Sequence, residues 1–103
     1  MAGTIRKTVD ERFYLSSAKG GGILRRELWV DRRGYVVRYN LAYVNPAIYA
    51  GDNGRVLGYD SAHGKHHRHY KAQVTTVEWA GFAQIELRLQ REWTRLAKEV
   101  GRA

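Results

Sequence analysis

The sequence predicts an α+β fold: a single twisted, mainly antiparallel β-sheet with one C-terminal amphipathic helix packed on it. Three observations predict it. Apolar and polar residues alternate with period two over much of residues 4–44 and 70–77, between glycine-rich and Asp/Asn-Gly turn signals. Beyond residue 79 the period changes, and Phe82, Ile85, Leu89, Trp93, Leu96 and Val100 recur at spacings of three and four. The length of 103 residues suits one domain, residues 1–103, and no internal repeat or linker divides it.

The first strand is expected over residues 4–9, interrupted by Asp10-Glu11-Arg12 and resumed at Phe13-Tyr14-Leu15. Ser16 to Gly22 ends in three glycines. A phosphate cradle needs a helix N-terminus after such glycines, whereas Ile23 to Val30 alternates like a strand, so a mobile hairpin loop is expected here. Asp31-Arg32-Arg33-Gly34 reads as a turn. In the next strand Tyr35, Val37, Tyr39, Leu41 and Tyr43 share a face, read as core in preference to a base-stacking platform. Asn45-Pro46 ends this strand, because proline lacks a ladder donor, and the Asn53-Gly54 pair marks another turn. Arg55 to Tyr59 reads as a short strand, Tyr70 to Val77 as another, and 79–100 as the helix. About four to six strands result.

Eighteen Lys and Arg against ten Asp and Glu give a net charge of +8, which suits a polyanionic partner through counterion release. With no cysteine, disulfides, thiolate catalysis and sulfur-ligated zinc are excluded. The N-terminus lacks the apolar run of a secretory signal, and no window approaches the ~18 apolar residues of a membrane span. A soluble, cytoplasmic protein with no membrane partner is expected. Arg88, Arg91, Arg95, Lys98 and Arg102 recur along the helix opposite its apolar stripe, forming either a solvated face or a phosphate-contacting one.

All four histidines, His63, His66, His67 and His69, fall within seven consecutive positions, next to Tyr59, Asp60, Lys65, Arg68 and Lys71. Three uses compete. Imidazoles titrate near pH ~6.5 and can supply a general base and a general acid. RNA cleavage by its own 2′-hydroxyl uses such a pair, with a cation on the phosphate. Extending the strand phase back from Tyr70 puts His67 and His69 on the face of Lys71, Gln73 and Thr75. His66 and Arg68 then share the covered face with Tyr70, Ala72 and Val74. His67 and His69 are therefore the expected acid–base pair, Lys65 or Arg68 the phosphate clamp, and Tyr59 a substrate-positioning group. His63 and His66 are expected to shape the turn or face the helix.

The second use is a metal site, in which His67 and His69 converge on an ion and Asp60 adds an oxygen; Lys65 and Arg68 would repel that ion. The third is non-catalytic binding of nucleic acid or an acidic partner, with Arg88, Arg91 and Arg95 carrying the affinity. No cofactor is called for by the preferred reading.

Gly58-Tyr59-Asp60-Ser61-Ala62-His63 followed by His66-His67-Arg68-His69 resembles the Tyr-Asp-Asn-Ala-His…His-x-His signature of TumE-like toxins. The preceding Tyr35-Val36-Val37-Arg38-Tyr39 hairpin is also similar to that family. Ser61 stands where asparagine is common, and the C-terminal helix is more basic than usual. The resemblance implies a toxin–antitoxin pair, a helix-turn-helix antitoxin as protein partner, and translation-blocking RNA cleavage. It carries over no catalytic residue. The expectation is thus a metal-independent ribonuclease toxin binding RNA rather than DNA, with a homodimer left open.

Overall fold

Alternation decides which side of the molecule each residue occupies, and the computed structural model, which describes residues 4–62 and 64–101, shows the result. Among the described residues six strands run β1 (Arg6–Tyr14), β2 (Ile23–Val30), β3 (Val36–Val44), β4 (Arg55–Ala62), β5 (Lys65–Tyr70) and β6 (Gln73–Thr76). They lie side by side in chain order, each antiparallel to the next. One helix, α1 (Phe82–Gly101), covers one sheet face, so the expected α+β architecture is the one found. Among the described residues no helix is long and apolar enough to cross a membrane.

The helix-covered face holds the core. Leu28, Tyr39, Leu41, Tyr43, Leu57 and Tyr59 meet Ile85, Leu89 and Ala97 of α1. The tyrosine row of β3 is core, as expected: Tyr39 and Tyr43 are buried, with Phe82 and Trp93 against their rings. Tyr35 and Val37 leave this row. Trp29 pairs with Arg38 but Val30 with Val36, so Val37 is an extra residue that turns Val36 inward and leaves Val37 and Tyr35 exposed.

Four other expectations are corrected. β1 does not break at Asp10-Glu11-Arg12; it bulges between Lys7 and Val9 and continues, because Asp10 is paired by Lys7 at 3.0 Å and Glu11 by Arg26 at 3.7 Å. Ser16 to Gly22 is tied down instead of hanging free. Tyr43 Oη and Asn45 Nδ2 each donate to it, at the carbonyls of Gly21 and Gly20, both at 3.1 Å. Gly20, at φ 98°, lies so close to the Ala97 backbone that no Cβ fits. Finally, Tyr70 to Val77 is not one strand: Lys71 and Ala72 adopt left-handed φ values of 48° and 68° and close a tight hairpin. The helix begins at Phe82, three residues later than its periodicity suggested.

Tyr39 and Tyr59 resist ionisation. Burial first, with nearby carboxylates, pushes both hydroxyls up to about 12. An unfolded tyrosine ionises near ~10, so between the two values the unfolded state binds fewer protons and folding loses free energy. Below pH ~10 this contribution is fully present. Urea unfolding from pH 9 to 12 is expected to show stability falling by on the order of 1 kcal/mol per pH unit for each tyrosine. A Tyr59→Phe variant would show a shallower fall.

Candidate functional site

The β4–β5 hairpin sends its side chains alternately to the two faces. Tyr59, His66, Arg68 and Tyr70 lie under α1, while Asp60, Lys65, His67 and His69 point to the uncovered face. Tyr59 opposes Arg68, and Asp60 opposes His67.

On the covered side everything is engaged. Tyr59 is 0% exposed and its hydroxyl donates to Glu92. Arg68 donates to the same carboxylate, including 3.1 Å from Nε to Oε2, and this contact holds its guanidinium above its ordinary pKa. Its guanidinium also lies 5.1 Å from the Tyr70 ring centroid. His66 is stacked on Trp79, ring centroids 4.2 Å apart, and its Nδ1 is 2.9 Å from Tyr39 Oη. Burial lowers the His66 pKa, and the strongly protonated Tyr39 hydroxyl is the natural donor to its neutral Nδ1. The substrate-positioning role expected of Tyr59 and the clamp role expected of Arg68 therefore do not fit their positions. Both hold the helix to the sheet.

On the uncovered face the geometry is that of a carboxylate between two imidazoles. Asp60 Oδ1 is 3.6 Å from His67 Nδ1, and Oδ2 is 2.9 Å from His69 Nε2. Arg55 completes the group. Its Nε donates to Asp52 Oδ2 at 2.8 Å, its Nη2 lies 3.1 Å from His69 Nδ1, and its Nη1 is 3.8 Å from Asp60. A guanidinium can only donate, so Nδ1 of His69 accepts and the ring proton belongs on Nε2, facing Asp60. The contact with Asp60 is close but not aligned as a hydrogen bond, and Nε2 is shut off from solvent. Arg55 reaches across because residue 58 is glycine: a Cβ there would stand 3.0 Å from Arg55 Cδ and 3.1 Å from the Leu41 carbonyl.

The two histidines thus differ. The His67 side chain is 24% exposed, with Nδ1 toward Asp60 and no partner for Nε2 among the described residues; that of His69 is 15% exposed, with Nδ1 against Arg55 and Nε2 shut off from solvent. His67 therefore stands beside a carboxylate, at a distance longer than a hydrogen bond, where an imidazole could serve as general base or acid. The His69 ring is the more enclosed of the expected pair, with Arg55 on one nitrogen and Asp60 beside the other. Both do share one face, as expected, but their neighbours across the hairpin are Thr76 and Val74, not Lys71, Gln73 and Thr75. His63 lies outside the described residues, as does Arg102.

The remaining cations divide between the layers. Lys65 is exposed on the same face and strand as His67. Lys71 lies in the β5–β6 turn, its Nζ 5.4 Å from the Tyr70 centroid. Arg91, Arg95 and Lys98 line a shallow groove on the outside of α1, and Arg88 bends back to within 5.4 Å of the Tyr59 ring centroid. The helix cations and His67 are therefore on opposite layers and do not converge. Sequence reading missed the cations that do accompany His67: Arg55, and also Arg25 and Arg38, which share the open face. A period-two count through β2 and β3 would have found the last two.

Rows across the open face show how these charges are arranged. Asp10, Glu27, Asn40, Asp60, His67 and Thr76 oppose one another in sequence across all six strands. Beside them run Arg12, Arg25, Ala42, Gly58, His69 and Val74. Glu27 accepts from Lys7 at 2.6 Å and Asn40 at 3.0 Å, which hold its carboxyl below the usual range. The small side chain of Ala42 floors a cleft of about 290 Å³ walled by Arg25, Arg55 and Asp52. Among the described residues no group of three or more His, Asp and Glu side chains is arranged to hold a metal ion. The donor set explains this: Arg55 occupies the place and the lone pair an ion would need.

No family model matches this chain, and neither a curated protein nor a solved structure resembles it closely enough to define a relationship.

The His69 tautomer is directly measurable. Long-range ¹⁵N–¹H NMR is expected to show Nδ1 unprotonated and Nε2 protonated near neutral pH. Arg55→Ala is expected to remove that fixed tautomer while leaving the His66 signals in place.

Proposed function

We propose that this protein is a metal-independent ribonuclease, acting as the toxin of a toxin–antitoxin pair. The observation that carries the reading is the Asp60–His67 pair on an uncovered sheet face bearing Lys65, Arg38 and Arg25. His67 takes the proton of a 2′-hydroxyl as that oxygen attacks the adjacent phosphorus. The P–O bond to the 5′-oxygen breaks, leaving a 2′,3′-cyclic phosphate, and the departing oxygen takes a proton from water. Asp60 orients the imidazole and steadies its charge when protonated, a role a carboxylate fills well at Nδ1. Lys65 supplies positive charge to the phosphate. His69 and Arg55 hold Asp60. The toxin context rests on the resemblance of residues 58–69 to TumE-like proteins, and a helix-turn-helix antitoxin is the partner it implies.

A second reading is favoured by one observation. Among the described residues Arg91, Arg95 and Lys98 have no carboxylate partner, and they sit on the layer away from His67. A binding module that grips nucleic acid or an acidic protein through α1 would need no chemistry at β5.

The two readings separate in one assay. Purified His67→Ala is expected to lose RNA cleavage by about 10²-fold or more while keeping RNA affinity. Parent protein that leaves RNA intact while Arg91→Ala and Arg95→Ala weaken binding would establish the second reading instead.

A further inference from the structure

Trp29 is a large, half-buried aromatic on the sheet face away from α1. Its neighbours on both strands are cations: Lys7 of β1 and Arg38 of β3 oppose it directly. Lys7 Nζ is 5.2 Å from the ring centroid and the Arg38 guanidinium 4.7 Å. These two are held very differently. Lys7 is fixed by Glu27 at 2.6 Å and Asp10 at 3.0 Å. Arg38 is exposed and has no carboxylate partner among the described residues. The indole is therefore supported on one strand by an anchored ammonium and capped from the other by a guanidinium free to move.

We propose that Trp29 is a stacking site for an unpaired nucleobase, which makes single-stranded RNA the substrate class; this rests on the reading of RNA as ligand. An aromatic interleaved with cations on an open sheet is the platform that single-stranded nucleic acid uses, because every base offers a π-face and every linkage a phosphate. The base takes the place of the Arg38 guanidinium on the indole, and Arg38 turns outward to the neighbouring phosphate. Lys65, on the same face near His67, meets a further one. Trp29 lies three strands and two residues from His67, roughly 16 Å by strand spacing and rise. A strand of a few nucleotides covers that span. A duplex does not, since its bases are stacked on each other and cannot reach the indole.

The test uses a short 2′-O-methyl oligoadenylate, which has no free 2′-hydroxyl and cannot be cleaved by the proposed route. The parent is expected to bind it with quenching of indole fluorescence. Trp29→Ala is expected to bind ~10-fold or more weakly, while Trp29→Phe, which keeps a stacking ring, stays within about threefold of the parent. Thermal unfolding shows that both variants fold. Binding of Trp29→Ala equal to the parent, no binding by the parent, or equal parent affinity for a duplex of the same length would each overturn the site. Since the probe is uncleavable, the outcome is separate from catalysis. A Trp29-dependent complex in a parent that cleaves no RNA keeps the site and removes the ribonuclease reading. Cleavage with no Trp29 dependence does the reverse.

Discussion

The alternation of side chains along β5 is the constraint on which the rest of the molecule depends. Within six residues it sends His66, Arg68 and Tyr70 beneath α1 and Lys65, His67 and His69 to the opposite face. A slip of one residue would exchange the two sets, burying His67 and His69 against leucines and exposing the partners of Glu92. Glu92 fixes the register from above. It receives both the Tyr59 hydroxyl and the Arg68 guanidinium, one from each strand of the hairpin. A carboxylate half-buried among apolar side chains costs free energy unless so paired, and a shifted strand would leave it without partners.

The chemistry on the open face follows from what the sheet leaves out. Gly58 and Ala42 lie side by side and provide almost no cover. Arg55 folds into that space, ties Asp52 to His69, and so stiffens the support of Asp60. Asp60 in turn faces His67, the more exposed of the two imidazoles beside it. Arg55, His69, Asp60 and His67 thus form one contiguous charged and polar group on the open face.

Much of the fold could be read from residues. Period two in β2 and β3 and the three-four spacing of α1 named the sheet, the helix and the core tyrosines, because burial imposes those periods directly. What stayed hidden depends on pairing. The turn at Lys71-Ala72 carries no glycine or proline, so Tyr70 to Val77 looked continuous. The charges of Asp10, Glu11 and Arg12 looked like a strand break because their partners Lys7 and Arg26 become neighbours only through folding and strand pairing. The site was half legible. Clustered histidines pointed to the hairpin, and alternation put His67 and His69 on the outside. It could not distinguish them, since that distinction comes from Arg55, fourteen residues away from His69 in sequence. Nor could it show that the basic helix and the histidines occupy different layers.

On the proposed reading, RNA meets the uncovered sheet face and not the helix. Backbone NMR of the labelled protein, titrated with a short single-stranded RNA under conditions that prevent cleavage, tests it most directly. Shifts are expected to concentrate on Trp29, Arg38, Asp60, Lys65 and His67, with Arg91, Arg95 and Lys98 unmoved. Shifts confined to the outer side of α1, with β4 and β5 unaffected, would contradict it.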